Sequence, residues 1–215
     1  MESGPCVRHR VGMTLLETDT VIPHLRASAP EPLPFGRDLV IRSFLLERPA
    51  GNLLVYSTRN ASGDVWRHYL NHGHEAGFAP DDLHAPVFVH AADRAAVAER
   101  IPVRAAFSRR HMLDDDFEVI PTPGHTPGAT AFLWDTGAHR VLFTGDTIML
   151  RDGEWRAAVL DSSDRGAYRE SLALIRELDF DVLLPWVSTA AGPFHAFTDA
   201  ADTRRRIDAI IERIG

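Results

Sequence analysis

Three short stretches hold side chains that could do chemistry together. His72-Gly73-His74 sets two imidazoles two residues apart. Pro123-Gly124-His125-Thr126-Pro127-Gly128 holds a third between prolines and glycines, and Arg140-Val141-Leu142-Phe143-Thr144-Gly145-Asp146 ends an apolar run on a carboxylate. If residues 71–74 are extended, side chains two apart point to the same side, so His72 and His74 converge on one ion while Gly73 keeps the other side clear. Proline fixes φ and glycine permits turns closed to other residues, so His125 is expected at a set angle; the plain alternative is a tight loop with an incidental histidine. A His-x-His pair says little by itself in a chain of 11 histidines. Joined to His125 and Asp146 it makes three nitrogens and one carboxylate oxygen, a set suited to zinc, iron or manganese. A cation so held lowers the pKa of bound water and polarises a carbonyl. The expected reaction is hydrolysis of a small thioester, ester or lactone, with metal-bound hydroxide as nucleophile and Asp146 or Glu75 orienting it. His68, His84, His90 and His111 have no such setting and read as core or surface histidines.

The elements that must position these groups alternate between strands and helices. Leu39 to Leu46 and Asn52 to Ser57 flank Pro49-Ala50-Gly51 and read as a hairpin, whereas Ala29 to Gly36 is too proline-rich for regular structure. Met13 to Ile22 is expected to hold an irregular strand, and Asp64 to Leu70 reads as either a short helix or a strand. A turn at Asp81 to Pro86, a strand at Val87 to His90 and a helix from Asp93 to Arg100 follow. Further strands are expected at Val103 to Phe107, at Phe117 to Ile120 and at Asp181 to Leu184. Tyr168, Leu172, Ile175 and Leu178 recur at helical spacing behind a cap at Ser162, Ser163 or Asp164, and Ile207, Ile210, Ile211 and Ile214 mark a final helix from about Thr198. Such alternation implies layered α/β architecture.

With 215 residues and 45% hydrophobic content the chain can bury a sizeable core, and one domain is expected, with residues 1–36 as an irregular segment packed on it. The formal charge of -7 disfavours a nucleic-acid or anionic-membrane binder, so Arg109-Arg110 and Arg204-Arg205-Arg206 read as solvated surface. Cys6 is the single cysteine, which excludes an internal disulfide framework. The first ten residues lack the apolar core of a signal peptide, and a cytoplasmic protein acting on a small molecule is expected.

In their order and wording these motifs resemble the metallo-β-lactamase superfamily, especially its glyoxalase II-like hydrolases, over roughly Val40 to Leu184. The resemblance implies a four-layer αβ/βα sandwich, a first metal on His72, His74 and His125, and Asp146 bridging to a second. Members continue the first motif with an aspartate and a histidine where this chain has Ala76 and Gly77, and place a last histidine where it has Val187. All three losses fall on the second metal, so one divalent cation is expected, zinc first, with iron or manganese as alternatives. Glu75 and His195 are candidates to rebuild the second site. Trp186 and Phe194 are expected to wall the centre, and Asp161 and Tyr168 to reach a substrate. The function implied is a mononuclear metal-dependent hydrolase; the alternatives are a catalytically inactive binding protein of the same fold and a mononuclear-iron oxidoreductase of the sulfur dioxygenase kind.

Overall fold

A computed structural model describes residues 17–18, 21–36, 38–82 and 84–215. Cys6 lies outside them, as does most of the segment from Met13 to Ile22; of that segment Glu17–Thr18 pairs antiparallel with Leu25–Ala27.

The architecture follows from strands that are apolar on both faces. In Thr130–Asp135, Phe132 and Trp134 point into one core while Ala131 and Leu133 point into another. Arg140–Gly145 divides the same way, Val141 and Phe143 against Leu142, as does Val182–Pro185, Val182 and Leu184 against Leu183. A strand with no polar face must be covered on both sides. One side packs against a second sheet through Phe44, Leu46, Leu53, Val55 and Tyr69. The other is covered by helices Arg165–Arg176 and Ala200–Ile214 through Tyr168, Leu172, Ile175, Ile207, Ile210 and Ile214. The second sheet is covered in turn by a 3-10 helix, Gly73–Phe78, and a short α-helix, Arg94–Ala98, through Ala76 and Val97. The result is the expected order of helix, sheet, sheet, helix.

The sheet with the histidine pair runs Glu17–Thr18, Leu25–Ala27, Phe44–Leu46, Leu53–Val55, Arg67–Tyr69, Val87–His90, Val103–Phe107. The facing sheet runs His111–Met112, Phe117–Pro121, Thr130–Asp135, Arg140–Gly145, Val182–Pro185, Ala196–Phe197, and a five-stranded sheet joins Leu39–Ile41 to Val187–Thr189 and Met149–Arg151. No helix among the described residues is long and apolar enough to cross a membrane.

Several expectations change. The run from Leu39 to Leu46 is not one strand: Leu39–Ile41 pairs with Val187–Thr189, and Phe44–Leu46 forms the hairpin with Leu53–Val55 in the other sheet. An unbroken apolar run carries no mark of where a chain changes sheets. The proline-rich connector contributes Glu31–Pro32 to the sheet edge beside Leu39–Ile41, where proline is tolerated. Asp64 to Leu70 resolves as the strand Arg67–Tyr69, parallel to its neighbour Leu53–Val55.

His68 on that strand is 2% exposed, and its Nε2–H donates to the Tyr56 carbonyl at 2.9 Å. Burial pushes its pKa down from 6.5 to about 4. Between those values the unfolded chain binds the extra proton, so this group's contribution to stability is lost as pH falls through the window. In His68→Gln, which keeps an N–H for Tyr56, the pH slope of unfolding free energy between pH 4 and 6.5 is expected to drop by up to about 1.4 kcal/mol per pH unit. Urea titrations at several pH values measure it; a slope equal to that of the unsubstituted protein would mean that His68 titrates alike in both states.

Candidate metal centre

Strand Arg67–Tyr69 delivers Leu70, Asn71 and His72 to the edge where the two sheets meet. His72 is extended, with φ -155° and ψ 171°, but the chain then turns at once into the 3-10 helix. His74 therefore sits in a helical turn, not in extended backbone, and the two imidazoles converge because the chain bends between them. Glu75 closes that bend: its Oε1 accepts from the amides of Asn71 at 2.8 Å and His72 at 3.2 Å.

Two of the three histidine rings have fixed tautomers. His72 Nδ1 lies 2.9 Å from Asn71 Oδ1 and 3.3 Å from Glu75 Oε1, both acceptors, so Nδ1 carries the proton and Nε2 presents a lone pair. His125 Nδ1–H donates to the Ala158 carbonyl at 2.6 Å, which leaves its Nε2 as the free acceptor. That atom lies 3.2 Å from His74 Nδ1. The ligand atoms of His72, His74 and His125 all fall within 4.8 Å of one another. Burial pushes the pKa of His72 down to about 3 and also lowers His74 and His125, so the rings are neutral at pH 7, the state in which imidazole binds a metal.

Asp146 stands beside this cluster. Its Oδ2 is 3.6 Å from His72 Nε2 and 3.4 Å from His125 Nε2. Burial raises its pKa, His72 and His74 opposing the rise and Glu75 adding to it. Two polar atoms on the cluster itself, His72 Nε2 and Asp146 Oδ1, are sealed from water without a hydrogen-bond partner, as is Glu75 Oε2 behind the His72 ring. Orphaned buried groups are costly, and two at one cluster of neutral nitrogens and a carboxylate fit a divalent transition-metal ion, which satisfies both kinds of donor.

The loops meet closely. Gly145 has φ +55°, and a Cβ there would lie 1.9 Å from Asn71 Oδ1; its N–H donates to the Tyr56 hydroxyl at 2.7 Å. Asp93, read from the sequence only as the start of a helix, ties the two histidine loops together. Its Oδ2 accepts from Gly73 N at 2.8 Å and Thr126 Oγ1 at 2.6 Å, and its Oδ1 from Gly128 N at 2.9 Å. A Cβ on Gly128 would come within 2.5 Å of the Asp93 side chain. The available signal was an aspartate at the first turn of a helix, and such residues usually cap their own helix; this one makes no such cap.

Other expected site residues fall elsewhere. Glu75 is fully buried and meets His72 on Nδ1, the side of the ring turned away from the cluster, so it does not stand where a replacement carboxylate would be needed. His195 packs against Phe194 and Phe197, at ring separations of 5.1 and 5.4 Å, and is not in the histidine cluster. Tyr168 is buried and its hydroxyl lies 2.9 and 2.8 Å from the carbonyls of Asp146 and Thr147, so it holds the Asp146 backbone rather than facing a substrate. Asp161 is exposed. Trp186 does wall the centre, edge-on to His72 at 5.4 Å and to Phe78 at 5.4 Å, while Phe194 lies over Phe44 and Arg42. Ala76 is buried, and a Cβ on Gly77 would meet nothing within 4 Å.

Comparison with known proteins agrees with this geometry. A family model described as the metallo-beta-lactamase superfamily matches residues 42–185. A search among curated proteins returns no match. Among solved structures, a subclass B3 metallo-β-lactamase of Bradyrhizobium japonicum superposes with a TM-score of 0.63 at 14% identity, covering 91% of this chain and 90% of that one. An archaeal superfamily protein from Sulfolobus tokodaii gives 0.59 at 14%, covering 86% and 85%. A metallo-β-lactamase family protein from Thermus thermophilus gives 0.58 at 19%, covering 89% and 79%. Identities this low speak for the fold alone, but the family model spans most strands of the two facing sheets and all four motif positions, His72, His74, His125 and Asp146: the chain belongs to the metallo-β-lactamase superfamily.

Proposed function

We propose that the protein is a hydrolase that holds one divalent cation, zinc first and iron or manganese as alternatives, on His72, His74 and His125 with Asp146 beside them, and cleaves a small thioester, ester or lactone. The observation that carries this reading is the sealed, partnerless Nε2 of His72, which lies within 4.8 Å of a ring nitrogen of His74 and of His125. Superfamily membership supports metal-dependent hydrolysis in general. A cation seated there would acidify water and polarise a substrate carbonyl.

The chain's own residues supply the rest. Asn71 and Glu75 fix the His72 ring from behind, and the Ala158 carbonyl does the same for His125. Asp146, close to two of the three nitrogens, is the group placed to accept a proton or orient water. Glu75 acts as a positioning residue. A single cation is supported by the apolar neighbours at the positions that would serve a second: Ala76 and Gly77 offer no donor, and Trp186 packs its ring between His72 and Phe78. The family subtype follows from the same residues as a glyoxalase II-like hydrolase with a lost second site, small-molecule substrates and cytoplasmic location being part of the proposal.

Metal analysis of protein loaded with zinc, iron or manganese is expected to give about one ion per chain, and His125→Ala to lose it; an unsubstituted chain that retains none of the three metals would end the metal reading. Asp146→Asn is expected to cut turnover of generic thioesters and esters by about 100-fold or more while the metal stays bound. Metal retention with no turnover on a broad ester and thioester panel, by the unsubstituted protein, would favour the non-catalytic scaffold instead. Asp93→Asn, which replaces an acceptor by a donor opposite Gly73, Thr126 and Gly128, is expected to weaken metal affinity by about 10–100-fold. Competition with a chromogenic chelator reads this; equal affinity would show that the loops hold their places without Asp93.

A further inference from the structure

One cavity among the described residues lies away from the metal centre. It has a volume of about 1010 Å³ and opens between the 3-10 helix, the segment after it and the end of the short helix Arg94–Ala98. Its wall includes Ala76 and Gly77, and Gly77 leaves open space there. His68 also lines it. The Tyr56 carbonyl can only accept, so His68 Nε2 holds the ring proton, and Nδ1 is left as an acceptor with no hydrogen-bond partner among the described residues. At the rim stand Arg100 and Arg104, whose side chains make no hydrogen bond or ion pair among the described residues. Glu99 and Asp81 share the lining, which disfavours a polyanion.

We propose that this cavity is a second, separate binding site for a small organic acid of one or two negative charges, its carboxylate or phosphate held by Arg100 and Arg104 and an N–H or O–H of the same molecule donated to His68 Nδ1. Guanidinium groups without protein partners suit planar or tetrahedral oxyanions, which they bind in bidentate fashion. A volume of this size takes a metabolite or a nucleoside monophosphate with room for water. The His68 Nδ1 acceptor favours ligands that carry a donor.

The test is calorimetry on the metal-loaded protein with three probes: malate, adenosine monophosphate and inorganic phosphate. At least one of the two organic probes is expected to bind once per chain and more tightly than inorganic phosphate. Arg100→Ala/Arg104→Ala is expected to weaken that binding by about tenfold or more, and Gly77→Leu, which grows into open space, to block it. His125→Ala is expected to leave it unchanged, since an anion at the metal centre would depart with the metal. The proposal is overturned if neither organic probe binds, if inorganic phosphate binds as well as both, if binding survives the double arginine variant, or if it is lost in His125→Ala.

Discussion

A single buried carboxylate, that of Asp93, sets the spacing on which the centre depends. The histidine pair leaves one sheet and His125 leaves the other, and nothing in either sheet's own ladder fixes the distance between those loops. Asp93 accepts from Gly73, Thr126 and Gly128, one donor on the first loop and two on the second, and so clamps them with both oxygens. A carboxylate 5% exposed is tolerable because each oxygen receives hydrogen bonds from fixed groups, and the same low polarity around it makes those bonds strong. Close approach matters as much as charge: with a side chain at 128 the clamp could not shut.

A comparable closure holds Asp146. The Tyr56 hydroxyl receives the Gly145 N–H and donates to the Leu184 carbonyl at 2.8 Å, so one phenol joins the two facing sheets directly beneath the carboxylate. Tyr56 adopts φ +65°, a conformation that bulky residues rarely take, and the surrounding hydrogen bonds hold it there. Asn71 occupies the space that a side chain at 145 would need, and its amide bonds both Thr130 and the His72 ring. The consequence is electrostatic. Three histidines and a carboxylate are held in a place where water cannot pair with all of them, so burial lowers the basicity of the rings and raises that of the acid. Neutral nitrogens beside a carboxylate are what a divalent cation can use.

How much of this was legible in the sequence varies by scale. The paired apolar runs at 130–135 and 140–145, the isoleucines at 207, 210 and 214 and the capped helix at 165–176 announce themselves by local periodicity, and each forms where the pattern places it. The strands Met149–Arg151, Glu154–Arg156 and Val187–Thr189 are not legible in the sequence, because runs of three residues carry too little pattern to stand out. His72 and His74 converge for a different local reason than spacing suggests: residues two apart share a face in extended backbone, whereas this chain bends into a 3-10 turn that Glu75 closes. Tyr56 and Asn71 carry no local signal of their role and Asp93 only that of a helix start, since each acts on groups far away in the chain.

The sequence by itself determined which residues could serve a metal and which could not. Donor chemistry belongs to the side chain, so two histidines at 72 and 74, another at 125 and an aspartate at 146 declare a possible set of metal ligands, while the side chains of Ala76, Gly77 and Val187 bring no ligand atom. Only the tertiary structure decided where each donor points. Glu75 turned out to face the back of His72, His195 lies among phenylalanines, and Tyr168 supports backbone, because ring tautomers and carboxylate directions depend on partners brought together from distant segments. Periodicity fixes which face of an element is buried; the distance between two loops on different sheets depends on contacts that no local pattern encodes.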